Sequence, residues 1–108
     1  MNPSELWVQE RIETIQMNSY LYGKWRSSPG DGPVEFYSEL DPARWELRKV
    51  EILADGRTGI ASSNRSTNGT QLAIIQIPPM NEIMAQTEFE SRIIRQDEFE
   101  AVWKRAGG

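Results

Sequence analysis

The feature that most constrains the fold is Asp55-Gly56, which separates two strand-like stretches, residues 44–53 and 57–61. Asp-Gly suits the two-residue turn of a β-hairpin, because glycine tolerates the positive φ that this turn requires. The sequence therefore predicts that these stretches pair as antiparallel strands. Residues 20–25 and 34–40 also alternate in residue type, as strands do, and extend the predicted sheet.

Later segments predict further elements. Residues 62–70 are polar and predict an exposed loop, whereas residues 72–77 are apolar and β-branched, which favours a buried strand. Residues 81–85 predict a short helix and residues 91–94 an extended link. Residues 97–105 combine helical apolar spacing with acids first and bases last, which favours a C-terminal helix. The expected fold is α+β: a four- to five-stranded antiparallel sheet with C-terminal helices packed on one face.

The third strand-like stretch has an internal inconsistency. Trp45 and Leu47 are odd-numbered, whereas the apolar Val50 and Ile52 are even-numbered. Strict alternation would put one of these pairs on the wrong side of the sheet, and one extra residue would correct it. We therefore predict a β-bulge at residues 48–49.

The first 16 residues predict a helical extension ahead of the sheet. Pro3 suits the first helical position, and apolar residues recur after it at helical spacing. The expected organisation is an N-terminal helical extension at residues 1–16 and one α+β domain at residues 17–108. The extension carries charges where a signal peptide would be apolar, and no apolar run approaches the roughly 20 residues that cross a bilayer. We expect a cytoplasmic protein without a membrane partner.

Composition limits the chemistry. The chain contains neither histidine nor cysteine, which excludes disulfides, thiolate metal ligands and imidazole general bases. It carries 12 basic and 16 acidic residues, for a net charge of −4. An acidic chain suits a basic protein partner better than the phosphates of a nucleic acid. We expect a binding protein rather than an enzyme, with no cofactor and no metal ion.

Strand alternation predicts where a partner would bind. If Val34 and Phe36 face the C-terminal helix, then Glu35, Tyr37 and Glu39 face outward from the uncovered side of the sheet. An aromatic residue among carboxylates suits a cationic protein surface. Three further candidates extend the predicted partner-binding set: Asp41, Glu46 and Trp7.

These residues also allow other interpretations. Carboxylates on alternate strand positions occur on any solvated or ion-paired sheet face, and paired carboxylates can serve acid–base catalysis or bind a divalent ion. Tyr20 and Tyr22, with Lys24 nearby, could stack nucleic-acid bases. The acidic total charge argues against that last interpretation.

Several motifs resemble a small bacterial family of uncharacterised single-domain proteins: FYSELD at residues 36–41, RKVE at 48–51, DGR at 55–57 and EFEAVW at 98–103. The resemblance covers roughly residues 18–104 and leaves the extension outside it. Such proteins are similar to the small acidic proteins encoded beside bacterial toxins. The resemblance implies an immunity-type protein that neutralises a toxin or effector by covering a basic active-site surface. The alternative is a structural or regulatory module, a homodimer or adaptor subunit, that binds through residues 1–16.

Overall fold

The computed structural model describes residues 17–26 and 32–108. Six strands form one antiparallel sheet, in the order β5-β4-β3-β2-β1-β6. The strands are β1 Ser19–Trp25, β2 Pro33–Leu40, β3 Glu46–Leu53, β4 Thr58–Ser62, β5 Arg65–Ser66 and β6 Phe89–Ile94. The helices are α1 Met80–Met84 and α2 Gln96–Arg105. The predicted α+β class and antiparallel sheet are confirmed, but the sheet has six strands rather than four or five.

The two extra strands come from segments predicted as a loop and a link. Arg65–Ser66 pairs with β4, and Phe89–Ile94 pairs with residues 20–25 of β1. Conversely, residues 72–77 form no strand, and Ile74 is 91% exposed. The amide of Ala73 donates to the carboxylate of Glu46 at 2.8 Å instead of to a neighbouring strand. Apolar β-branched composition alone does not supply a strand with a pairing partner.

The β3–β4 hairpin forms at Asp55-Gly56 as predicted, but its loop has three residues, 54–56, rather than two. The amide of Leu53 donates to the carbonyl oxygen of Arg57 at 2.8 Å, and Gly56 has a φ of 88°. A side-chain oxygen of Asp55 accepts a hydrogen bond from the Arg57 amide at 3.0 Å. Turn geometry and side-chain chemistry therefore agree at this position.

The predicted bulge is present, one residue before its expected position. Glu39 pairs with Arg48, but the next residue, Leu40, pairs with Glu46, so Leu47 is the extra residue of β3. The extra residue reverses the side on which Glu46 lies relative to strict alternation. The bulge was predicted in order to place Leu47 on the buried side of the sheet. Leu47 nevertheless remains 38% exposed.

One face of the sheet is covered by α2, and we call it the α2 face. Helix α2 buries Phe99 and Val102. Phe99 packs in a cluster with Tyr20, and Val102 packs in a cluster with Val50 and Ile60. These strand residues all point to the same side of the sheet.

The opposite side, which we call the α1 face, is covered by α1. Ile83 of α1 packs against Leu21 and Leu40, which neighbour the α2-face residues Tyr20 and Glu39 in the sequence. Because successive strand residues point to opposite faces, the helices lie on opposite sides of the sheet. The prediction that they share one face is wrong.

The predicted helical extension at residues 1–16, with Trp7, lies outside the described residues. Within the described part of the chain, no helix is long and apolar enough to cross a membrane.

Candidate functional site

The face of β2 predicted to be open is the one that α2 covers. Tyr37 packs against the clusters around Phe99 and Val102, and Glu39 is only 7% exposed. Phe36, predicted to lie under the C-terminal helix, instead lies opposite Gly23 on the α1 face. The predicted assignment of faces is therefore reversed. Alternation separates two sets of side chains, but it does not tell which set meets the helix.

Glu39 is part of an internal ion-pair network. Arg48 donates to both carboxylate oxygens of Glu39, from Nε at 2.6 Å and from Nη2 at 3.0 Å, and it also binds Glu100 of α2. The Tyr20 hydroxyl donates to Glu39 Oε2 at 2.9 Å. The Arg48 guanidinium, aided by Tyr20, lowers the pKa of Glu39 below its usual 4.5. Glu39 thus joins β1, β2 and β3, and Arg48 connects it to Glu100 of α2.

Two other predicted residues, Glu35 and Asp41, are half-buried and make local bonds. Glu35 accepts a hydrogen bond from the hydroxyl of Tyr22, on the same face. Asp41 accepts the amide of Trp45 at 2.9 Å and so closes the turn between β2 and β3. Neither residue adjoins Glu46 in a common acidic surface, because Glu46 points to the α1 face.

Glu46 lies at the floor of a cavity on the α1 face. It is 6% exposed and accepts hydrogen bonds from Ser38 Oγ at 2.6 Å and from the Ala73 amide at 2.8 Å. Lys49 Nζ lies 3.0 Å from its Oε1 and also donates to the carbonyl of Gln71 at 2.9 Å. Glu46 thus fixes both the floor of the cavity and the segment that follows Thr70.

The cavity has a volume of about 400 Å³ and lies between the sheet, α1 and the chain before α1. Its walls are mainly apolar, and they are formed by Leu21, Trp25, Phe36, Ile77, Ile83 and Phe89. Of the five predicted site residues that the structure describes, only Glu46 lines it. Sequence reasoning missed the site because its walls come from segments that are distant along the chain. The available signal was the small Gly23 within an otherwise bulky strand.

Polar groups interrupt this apolar lining at a few points. Glu51 adds a second carboxylate beside the Glu46–Lys49 pair. Ser91 also lines the cavity, and its hydroxyl oxygen is buried without a hydrogen-bond partner among residues 17–26 and 32–108. A buried hydroxyl without a partner is costly, so a bound group that supplied one would be favoured. The lining has two carboxylates and one ammonium group, which gives it negative charge.

Large apolar residues are exposed on the elements around the cavity. On the segment before α1, Ile74 is 91% and Ile75 is 67% exposed, and Met84 of α1 is 62% exposed. Ile93 of β6, which points to the α1 face, is 67% exposed. Such residues around a cavity are typical of a surface that binds another molecule. In the part of the chain that the structure describes, no three acidic side chains gather as metal ligands.

Comparison with other proteins places the chain in a family without indicating an activity. No curated protein and no solved structure matches it. A family model described as a domain of unknown function, DUF6881, matches residues 19–108, which include every described strand and helix. The predicted resemblance to an uncharacterised family is confirmed at this level. The chain belongs to the DUF6881 family, a domain of unknown function.

Proposed function

We propose that this protein is a non-catalytic binding protein whose α1-face cavity receives part of a protein partner. The observation that carries the proposal is the cavity of about 400 Å³, where apolar walls meet a floor of carboxylates and a buried hydroxyl without a partner. Sites of this kind bind an apolar group and orient it through a few polar contacts. The absence of histidine and cysteine supports binding rather than catalysis.

The charge of the cavity and of the chain indicates the partner's chemistry. Glu46 and Glu51 outnumber Lys49 in the lining, and the whole chain has a net charge of −4. A fitting partner segment presents one large apolar side chain next to Lys or Arg. The apolar side chain would fill the cavity as an anchor, and the cation would face Glu51.

The finer form of the proposal is an immunity-type protein that acts in the cytoplasm on a bacterial toxin or effector. The family resemblance and the acidic charge support this form. The protein would cover a basic active-site surface of its partner, with the α1 face as the contact surface. Glu51 and the apolar residues around the cavity then take the place of the predicted Tyr37–Glu39 surface, which α2 covers.

Co-expression with the products of neighbouring genes tests the proposal. We expect one product to co-purify with this protein. We also expect this protein to suppress the toxicity of that product. Glu51→Lys should weaken that complex at least tenfold, because it places a cation beside the partner's cation. Glu88→Lys makes the same charge change at an exposed residue outside the cavity and should leave binding intact. If the partner bound the two variants with equal affinity, the cavity would not be part of the interface.

A second candidate function is a structural or regulatory module that acts through self-association. The observation that favours it is the edge strand β6, whereas the extension at residues 1–16, through which the sequence predicted binding, lies outside the described residues. Its test is the oligomeric state, which can be measured without the partner of the α1-face cavity.

A further inference from the structure

The two edge strands of the sheet differ in length. One edge is β5, which has only two residues, Arg65 and Ser66. The other is β6, which has six residues and contains neither proline nor glycine. Short strands protect a sheet edge, whereas a long regular edge is a template for another strand. Among the described residues, β6 pairs with β1 alone.

The register of β6 shows which backbone groups face its free side. The amide of Arg26 donates to the carbonyl of Glu88 at 2.9 Å, so this opposite pair is a hydrogen-bonded one. Hydrogen-bonded and non-hydrogen-bonded pairs alternate along an antiparallel ladder. The uniform register between β1 and β6 therefore directs the backbone groups of Glu90, Arg92 and Ile94 towards β1. It leaves those of the alternate residues on the free edge: Phe89, Ser91 and Ile93.

The edge is complementary to itself in one register. If two copies of β6 pair antiparallel about Ser91, each Ser91 faces the other, and Phe89 faces Ile93. The same register sets Glu90 opposite Arg92 on both sides of the axis. A shift of the axis by one residue either way places Glu90 opposite Glu90 or Arg92 opposite Arg92. Opposite charges across strands stabilise a pair, and like charges destabilise it.

The side chains are available for this pairing. Ile93 is 67% exposed, and the Glu90 side chain is 59% exposed, with a 3.6 Å contact to Arg26. Arg92 already pairs with Glu98 at 2.9 Å, and its guanidinium lies 4.8 Å from the ring centre of Tyr22, but 53% of its side chain is exposed and can face a second carboxylate.

We infer that the protein forms a twofold symmetric dimer in which the β6 strands pair antiparallel about Ser91. The sheet then continues through both copies, and Glu90 of each copy pairs with Arg92 of the other. Because Ser91 also lines the α1-face cavity, the two cavities adjoin across the axis.

The charge pairs provide a test by sedimentation or light scattering on the full chain. The wild-type protein should have the mass of a dimer, and Glu90→Arg should raise the dissociation constant at least tenfold, because Arg then faces Arg92. Arg92→Glu should raise the dissociation constant by a similar factor, because the new carboxylate then faces Glu90. An equimolar mixture of the two variants should recover the dimer, since every facing pair is then of opposite charge. Glu88→Arg is the control, because it makes the same charge change as Glu90→Arg at a residue that faces the uncharged Ile94 in the dimer. This variant should remain dimeric.

Hydrogen exchange supplies a second readout at single residues. In the dimer, the amides of Phe89, Ser91 and Ile93 should be protected, and in Glu90→Arg they should exchange rapidly. The amides of Glu90 and Arg92 bond to β1 and should stay protected in both proteins, which also reports that the fold is intact. A wild-type chain that stays monomeric up to millimolar concentration would overturn the inference. So would a dimer that the Glu90→Arg substitution leaves unchanged.

Discussion

Phe36 lies directly across from Gly23 in the β1–β2 pair, and its ring covers the glycine. A Cβ atom at position 23 would stand 2.3 Å from Cζ of that ring and 2.8 Å from Cε1. Only glycine permits this approach, and the covered glycine lets the Phe36 ring lie flat as a wall of the α1-face cavity. An aromatic ring over a strand glycine also compensates for the weak strand propensity of glycine.

Gly23→Ala should therefore destabilise the protein by about 1 to 3 kcal/mol, because the Phe36 ring must leave its position. Urea unfolding measures the change in the free energy of unfolding. Adding Phe36→Leu to Gly23→Ala removes the ring that clashes, so the double variant should lose less than the sum of the two single variants. Strictly additive losses would show that the ring does not lie over Gly23.

Glu39 should make the free energy of unfolding fall at acidic pH. Its pKa is lowered first by the bond from Arg48, so the folded state holds the charged form more strongly than the unfolded chain does. The resulting stability is present above the unfolded pKa, near 4.5, and is lost as the pH falls through the lower folded pKa.

Glu39→Gln tests this linkage. At pH 7 we expect it to cost roughly 2 kcal/mol, because Arg48 loses a buried charged partner but keeps Glu100. The difference from wild type should shrink as the pH falls below 4.5, because Glu39 takes up a proton in the unfolded chain before it does so in the folded protein. Urea unfolding at a series of pH values measures it, with Glu88→Gln as an exposed control. A difference that stays constant with pH would contradict the assigned cause.

Thr70 is fully buried, and its hydroxyl has no hydrogen-bond partner within residues 17–26 and 32–108. Thr70→Val keeps the shape of the side chain and removes the unpaired polar group. We expect the free energy of unfolding to stay level or rise by about 1 kcal/mol, against the usual loss for a buried substitution. Thermal melting measures it, and Thr70→Ala, which leaves a void, should lose stability. A clear loss in Thr70→Val would mean that the hydroxyl is bonded.

Arg44 holds the segment before α1 against the β2–β3 turn. It has a φ of 68°, its Nε donates to the carbonyl of Ile77 at 2.9 Å, and its Nη2 donates to that of Pro78 at 2.7 Å. The Ile77 amide returns a bond to the Arg44 carbonyl at 2.9 Å.

Replacing Arg44 should separate the effects of the side chain and the backbone. Both Arg44→Ala and Arg44→Gly lose the side-chain bonds, so hydrogen exchange at the Ile77 amide should become faster in each. At a positive φ, alanine is strained and glycine is not, so Arg44→Gly should be the more stable variant by about 1 kcal/mol. Greater stability of Arg44→Ala would contradict the positive φ.

Local chemistry made several elements predictable from the sequence. Asp55-Gly56 identified the β3–β4 hairpin, because a tight turn depends on the conformations available to its own residues. The odd and even apolar residues of β3 indicated a bulge, found at Leu47. The acidic start and basic end of residues 97–105 indicated the helix that became α2. Each of these signals acts over a few neighbouring residues.

The candidate site depended on relationships that no short stretch of sequence contains. Alternation along β2 places Phe36 and Tyr37 on opposite faces of the sheet. It does not tell which of the two faces α2 covers, so the sequence did not determine this. The cavity and the free edge of β6 likewise arise from which strands become neighbours. By itself, the sequence determined the turns, the strand periodicity and the charge of this protein. Only the tertiary structure decided which surfaces are buried and which are free, because burial is set by packing between segments that are far apart in the chain.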